Sequence, residues 1–241
     1  MTKSALVTGG TSGIGRATAR ALHEAGFDVT ITFRSNEDQA KSLLNEGEVA
    51  SIVRLDLSDP QSVDAWVQGQ EGSALDVDVL VINAGEILRP SNWREMGIRE
   101  ITETFSVHAI APILLARKAA AFMEKRGGGR IIFTSSTYGL VGAGPVLAYG
   151  AAKASLVSTT YALARDLGVS GITVNCVAPG NIDTPMTAGA GDAVLKWVQE
   201  TTPVGRLGKA EEVAAQTMYF VNSPFITGQI AVVDGGQVLN M

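Results

Sequence analysis

The chain predicts a single α/β domain, a mostly parallel, doubly wound sheet of about seven strands with helices on both faces. Three observations lead there. Short β-branched runs alternate with longer helix-like segments about six times along the sequence. Most of the short runs are continuously apolar, as strands covered on both faces require. The 241 residues are 46% hydrophobic and 18% charged, enough for one core burying roughly 70–75% of the unfolded chain's surface.

The strand candidates are residues 5–8, 29–33, 51–55, 77–82, 130–134, 173–177 and 230–233. Helix-like segments fall between them at 14–25, 37–45, 61–68, 98–125, 147–167 and 210–221. Gly26, Gly168 and Gly171 sit where helix C-terminal caps are needed. No Pro/Ser-rich linker divides the chain, and no self-similar period points to a solenoid. Residues 181–208 form the one long irregular stretch, rich in Gly, Thr and Pro. Long loops of this kind serve as substrate-side lids or as plain surface loops. The whole of 1–241 therefore reads as one domain with that segment inside it.

Composition removes several function classes. Nineteen basic residues against 24 acidic ones give a net charge of −5, and Lys125, Arg126 and Arg130 are the nearest thing to a basic patch. Nucleic acid and anionic membrane are not expected partners. Apolar runs break well short of the ~18 residues a bilayer span needs. The start, MTKSALVTGG, enters a strand-like run with no signal peptide visible. The single cysteine, Cys176, leaves no internal disulfide and fits a reducing cytoplasm. Two histidines and one cysteine are too few soft ligands for a structural zinc site.

The first strand runs straight into Gly9-Gly10-Thr11-Ser12-Gly13-Ile14-Gly15 and an Ala-rich helix. Glycines there let the chain turn sharply, let backbone approach a pyrophosphate and let helix pack on strand. The helix N-terminus offers free N–H groups to phosphate. The spacing is G-x-x-x-G-x-G, and its place after the first strand of an alternating chain is the context dinucleotide binding requires. At the end of the second strand the chain reads Phe33-Arg34-Ser35-Asn36, without the carboxylate that usually grips an NAD ribose. Arg34 offers a planar fork of donors to a 2′-phosphate, which favours NADP(H). The alternative is a solvated strand-end arginine, with Glu37 or Asp38 taking the ribose.

Tyr149 and Lys153 lie four apart in a helix-like stretch, so they share one face. A phenol of ordinary pKa about 10 is a poor acid or base at neutral pH, and a neighbouring ammonium favours its ionised form. Taken alone, that spacing equally describes a packing tyrosine beside a surface lysine. The ordered set changes the reading: Thr8 to Gly15, Asn83-Ala84-Gly85, Ser136 thirteen residues before Tyr149, Tyr149-Gly150-Ala151-Ala152-Lys153, and Pro179-Gly180. With Gly205-Arg206-Leu207-Gly208, Thr227-Gly228-Gln229 and Asp234-Gly235-Gly236, the chain resembles the short-chain dehydrogenase/reductase family over nearly its whole length. It is closest to the 3-ketoacyl-carrier-protein reductase-like members.

That resemblance implies a Rossmann-type fold, usually a homotetramer, and reversible hydride transfer between nicotinamide and a ketone or secondary alcohol. It implies Tyr149 as general acid in reduction and Lys153 as the group that lowers its pKa and holds the nicotinamide ribose. Ser136 then orients the carbonyl oxygen. By the same resemblance Gly9, Thr11, Ser12, Gly13, Ile14 and Gly15 cradle the diphosphate. Arg34 and Ser35 meet the adenosine ribose end, Asp56 and Leu57 the adenine, and Asn83, Ala84 and Gly85 the adenosine ribose. Pro179 and Gly180 also line the cofactor, and Ile182 and Thr184 after them match positions that hold the nicotinamide carboxamide.

Three positions depart from the family's pattern. His108 stands where a fourth catalytic residue, an asparagine, is usual. It either anchors the water that asparagine helps hold, making the relay pH-sensitive, or is a buried core histidine; His23 reads as a surface side chain. Ser170 stands where carrier-protein reductases usually place a basic residue, although Arg126 remains. Glu86 follows Asn83-Ala84-Gly85 where an apolar residue is usual; it faces the substrate pocket or pairs with Arg89. Tyr138, Val141, Leu147, Met186 and Trp197 are candidate pocket walls.

The reading is therefore a cytoplasmic NADP(H)-dependent oxidoreductase acting reductively on a small ketone, free or thioester-linked, with a carrier protein as alternative. Two rivals stand beside it, an NAD-dependent sugar or polyol dehydrogenase and a non-catalytic dinucleotide-sensing protein.

Overall fold

A computed structural model of the chain describes residues 2–87, 93–188 and 191–238. In chain order the elements are β1 (Ser4–Val7), α1 (Gly13–Glu24), β2 (Asp28–Phe33), α2 (Glu37–Asn45), β3 (Ser51–Arg54), α3 (Pro60–Gln68) and β4 (Val79–Ile82). There follow α4 (Ile98–Phe105), α5 (Ala111–Arg126), β5 (Gly129–Thr134), α6 (Tyr138–Val141), α7 (Leu147–Leu167) and β6 (Ile172–Pro179). The chain ends through β7 (Ile182–Asp183), α8 (Pro185–Ala188), α9 (Gly191–Thr201), β8 (Gly208–Lys209), α10 (Ala210–Asn222) and β9 (Ile230–Val233).

Seven parallel strands form one sheet in the order β3-β2-β1-β4-β5-β6-β9. The continuous apolar runs are explained by two half-cores. Leu6, Leu80, Ile131 and Val174 face Val63, Leu115, Met123 and Leu156 on one side. Ala5, Val7, Val81 and Ile132 face Leu22, Val213 and Phe220 on the other. The chain winds outward from β1 through β2 to β3, then crosses back to β4 on the far side of β1. That reversal opens a crevice at the carboxyl ends of β1 and β4, where doubly wound sheets bind ligands.

Four expectations change. The helix expected over 98–125 is broken into α4 and α5 by a π turn at Ser106–Ile110, where the Ala111 N–H bonds the Ser106 carbonyl. Pro112 accounts for it, since proline has no N–H for the carbonyl of His108 and its ring crowds that carbonyl. As a continuous helical stretch, Ile98–Arg126 reaches a mean hydropathy of 1.3, apolar and long enough to cross a membrane, contrary to the run-length argument. Its best window is 56% buried within the fold, so just over half of it serves the core, while Ile98, Ile110 and Ile113 stay exposed. Residues 181–208 are not one irregular stretch, because they hold β7, α8, α9 and β8. Their Gly, Thr and Pro residues punctuate short elements. Gly26 and Gly171 take the left-handed conformation of a helix cap (φ 85 and 74), whereas Gly168 stays helical with φ −58.

Candidate active site

The crevice is a cleft of about 960 Å³. It runs between the carboxyl ends of β1, β2, β4, β5 and β6 and is roofed by α8 and α9. Every residue predicted as catalytic or cofactor-binding lines it except Gly15. Gly15 instead lies beneath the loop, where a methyl group would come 2.2 Å from the Gly9 carbonyl oxygen. Gly9 has φ 67, and a methyl group there would meet the Ala84 Cα at 2.9 Å. Thr8 at the end of β1 clamps the opposing wall: its Oγ1 accepts from the N–H groups of Asn83 and Ala84, each at 2.9 Å.

Among the described residues no side chain caps the N-terminus of α1, and no acidic residue stands in its first turn. Its free N–H groups face the cleft beside Thr11, Ser12 and Gly13. Such an end is suited to an anion. With a guanidinium at one extremity and a buried phenol and amine at the other, the donor set fits an elongated ligand with a central diphosphate.

At the β5–α7 end, Ser136, Tyr149 and Lys153 converge, all buried. The Lys153 ammonium donates to the Thr134 carbonyl at 2.6 Å, and Ser135 Oγ donates to the Lys153 carbonyl at 2.8 Å, fixing α7 against the end of β5. Burial pushes the Tyr149 phenol up to about 12, while the Ser136 hydroxyl pulls it the other way. Burial brings Lys153 down to about 8. Burial sets the direction of the Tyr149 shift here; the Lys153 ammonium lies 5.7 Å from the centroid of the phenol ring and gives one hydrogen bond to the Thr134 carbonyl. Thr134 and Ser135 were not singled out in the sequence, although their place beside Ser136 was visible.

His108 is brought into this end by the π turn. Its ring stands edge-on to Tyr149 with centroids 4.9 Å apart. Nε2 lies 2.8 Å from the Glu86 carbonyl oxygen, and a carbonyl only accepts, so Nε2 carries the proton. Nδ1 is buried and meets no partner among the described residues. Burial, with Lys153 nearby, pushes the imidazole down to about 3. A shift of that direction keeps the ring neutral near pH 7, as the buried-histidine alternative has it. The ring also explains Gly85, where a methyl group would meet His108 Cε1 at 2.2 Å.

At the β2 end, Arg34 forms a two-pronged ion pair with Glu86, Nη1–Oε1 at 2.5 Å and Nη2–Oε2 at 3.1 Å. The other partner considered for Glu86, Arg89, lies outside the described residues. Asp56 lines the cleft and accepts from the Ser58 N–H at 2.9 Å. Ser106 Oγ donates to the Leu57 carbonyl at 2.7 Å, tying that wall to the π turn. Among the pocket walls, Tyr138, Met186 and Trp197 line the cleft, whereas Val141 and Leu147 are exposed and do not. Thr184 packs over the glycine loop, within 3.2 Å of where a methyl group on Gly13 would stand. His23 is exposed on α1.

A helix-roofed cleft on a doubly wound sheet, joining an anion-binding loop to a buried Ser-Tyr-Lys set, defines the class of nicotinamide-dinucleotide oxidoreductases. The family described as Enoyl-(Acyl carrier protein) reductase matches residues 9–237. A cis-4-hydroxycyclohexanecarboxylate dehydrogenase of Sinomonas cyclohexanicum is 36% identical over 236 residues, 96% of this chain and 95% of that one. A 3-oxoacyl-[acyl-carrier-protein] reductase of Aquifex aeolicus (strain VF5) is 34% identical over 97% of this chain and 96% of its own length. The crystal structure of a blue fluorescent protein from a metagenomic library, in complex with NADPH, is 33% identical with a TM-score of 0.89, covering 98% of each chain. The chain belongs to the short-chain dehydrogenase/reductase family. It is an oxidoreductase acting on CH–OH and C=O groups.

Proposed function

We propose that this chain is an NADP(H)-dependent carbonyl reductase that works in the reductive direction on a small, largely apolar ketone, free or thioester-linked. The observation that carries this reading is one cleft that joins the glycine loop and Arg34 to Ser136, Tyr149 and Lys153. The nicotinamide, when bound, supplies the hydride. Gly9, Thr11, Ser12, Gly13 and Ile14 hold the diphosphate, and Arg34 with Ser35 the 2′-phosphate. Asp56 and Leu57 hold the adenine, and Asn83, Ala84 and Gly85 its ribose. Pro179, Gly180, Ile182 and Thr184 hold the carboxamide.

Tyr149 gives its proton to the carbonyl oxygen. A phenol held near 12 is fully protonated at neutral pH, as an acid must be before the reaction. The Ser136 hydroxyl donates to the same oxygen and stabilises its developing charge. Lys153 holds the nicotinamide ribose and, while protonated, favours the phenolate left behind. His108 supports Tyr149 by edge contact and takes no part in proton transfer.

The substrate side is walled by Ile87, Pro145, Val146, Met186, Leu195 and Trp197, which suit an apolar ketone. A carrier protein is the lesser reading, because Arg126 is engaged by Asp76 at 2.6 Å and by the Val77 carbonyl at 3.0 Å. Exposed Ile98, Ile110, Ile113 and Tyr161 along α4, the π turn, α5 and α7 support a homotetramer through this surface. The single buried thiol, Cys176, agrees with a cytoplasmic protein.

The test follows nicotinamide absorbance with NADPH or NADH against cyclic ketones, diketones and acyl-thioester ketones. Faster consumption of NADPH than of NADH on an apolar ketone is expected. A protein faster with NADH on sugars or polyols would replace this reading with the dehydrogenase one.

A further inference from the structure

Arg34 and Glu86 form a strap across the cleft. Arg34 follows β2 and Glu86 follows β4, with β1 lying between those strands in the sheet. The pair therefore reaches over the end of β1, where the glycine loop begins. Both backbones are anchored. Nε2–H of His108 donates to the Glu86 carbonyl at 2.8 Å, and Arg54 Nε donates to the Arg34 carbonyl at 3.3 Å. The two side chains are 47% and 45% exposed, so water and an incoming anion both reach them. Asp56 and Glu103 also act on the Arg34 guanidinium through space, which leaves Arg34 in an acidic field with Glu86 as its two-pronged partner.

A phosphate on the adenosine ribose that takes the Arg34 Nη1–Nη2 fork displaces Glu86 from it, and it then stands beside the released carboxylate. A ribose carrying a hydroxyl there makes no such demand and leaves the pair closed. We propose that Glu86 is a specificity-determining residue: an internal carboxylate that competes with the 2′-phosphate for Arg34 and so sets the ratio of NADP(H) to NAD(H) binding. This rests on the NADP(H) reading above. It joins the two departures at positions 86 and 108 into one device, since His108 fixes the backbone from which Glu86 reaches.

The test is equilibrium titration of NADP+, NAD+, 2′,5′-ADP and 5′-AMP into the wild-type protein, Glu86→Gln, Arg34→Ala and the double variant, at one fixed salt concentration. Glu86→Gln should tighten NADP+ and 2′,5′-ADP about three- to tenfold, the scale of losing one exposed two-pronged competitor. NAD+ and 5′-AMP should stay within about twofold, since neither engages the fork. In the Arg34→Ala background the Glu86 change should have no effect on any of the four. If Arg34→Ala weakens 2′,5′-ADP but Glu86→Gln leaves it unchanged or weaker, the competition is overturned while the NADP(H) reading stands. Tightening that persists without Arg34 also overturns it, because the carboxylate would then act by general repulsion. If the wild type binds NAD+ as tightly as NADP+ and Arg34→Ala changes neither, the cofactor reading itself falls. Glu86→Ser serves as a second variant should the glutamine fold poorly.

Discussion

At the β5–α7 end of the cleft, Ser136, Tyr149, Lys153 and His108 are each no more than 8% exposed, whereas at the β2 end Arg34 and Glu86 are 47% and 45% exposed. Both ends hold charged or titratable groups, but water decides what those groups can do. Burial moves Tyr149 to about 12, Lys153 to about 8 and His108 to about 3, so the buried end fixes protonation states. The exposed ion pair is worth little by itself and exchanges partners readily. Bond-making chemistry needs the first environment, in which each dipole counts heavily. Discrimination between two ligands needs the second, in which one partner can be traded for another.

The sharpest way to break this contrast is Lys153→Met at the buried end. Turnover should fall on the order of a hundredfold or more. In the wild type, reduction should also decline as pH rises through about 8, where Lys153 loses its proton, and the variant should lack that limb in a pH–rate profile. Next comes the stability cost of a buried neutral imidazole. Folded His108 binds no proton until about pH 3, while the unfolded imidazole binds one near 6.5. Its contribution is thus present above 6.5 and lost as pH falls, by roughly 2 kcal/mol at pH 5. Urea midpoints against pH should slope less over that window in His108→Asn than in the wild type.

Gly85→Ala should destabilise by about 1–2 kcal/mol, because its methyl group must displace the His108 ring. Adding His108→Ala should recover part of that loss in the same urea experiment, and no recovery would deny the contact. The smallest effect belongs to the exposed end. Arg34→Ala should weaken NADP+ about fivefold to tenfold, with the loss shrinking as salt is raised. A salt-independent loss would place the fork in a drier setting than this comparison holds.

What could be read in the sequence follows from how local each signal is. The parallel sheet was legible because most strands are continuous apolar runs, and the two half-cores of Leu6 and Val7 explain why little alternation is seen. The glycine loop and the Ser136–Tyr149–Lys153 set were legible because spacing and order carry them. The π turn was not read, although Pro112 announced it four residues after His108. The helical character of 181–208 was hidden because Gly and Pro mark element ends as often as loops. The Arg34–Glu86 pair was beyond reach, since 52 residues separate its partners and only the strand crossing at β1 brings them together. The protonation of His108 and Lys153 was equally hidden, because it depends on burial that no local pattern states.

The most direct test of the account is the turnover of Tyr149→Phe on the best ketone of the panel, with NADPH affinity measured beside it. The account predicts that NADPH binds within about twofold of the wild type while turnover falls about a thousandfold, since one hydroxyl and its proton are all that is removed. A variant that keeps its turnover, or that loses it together with the dinucleotide, would contradict Tyr149 as the proton donor.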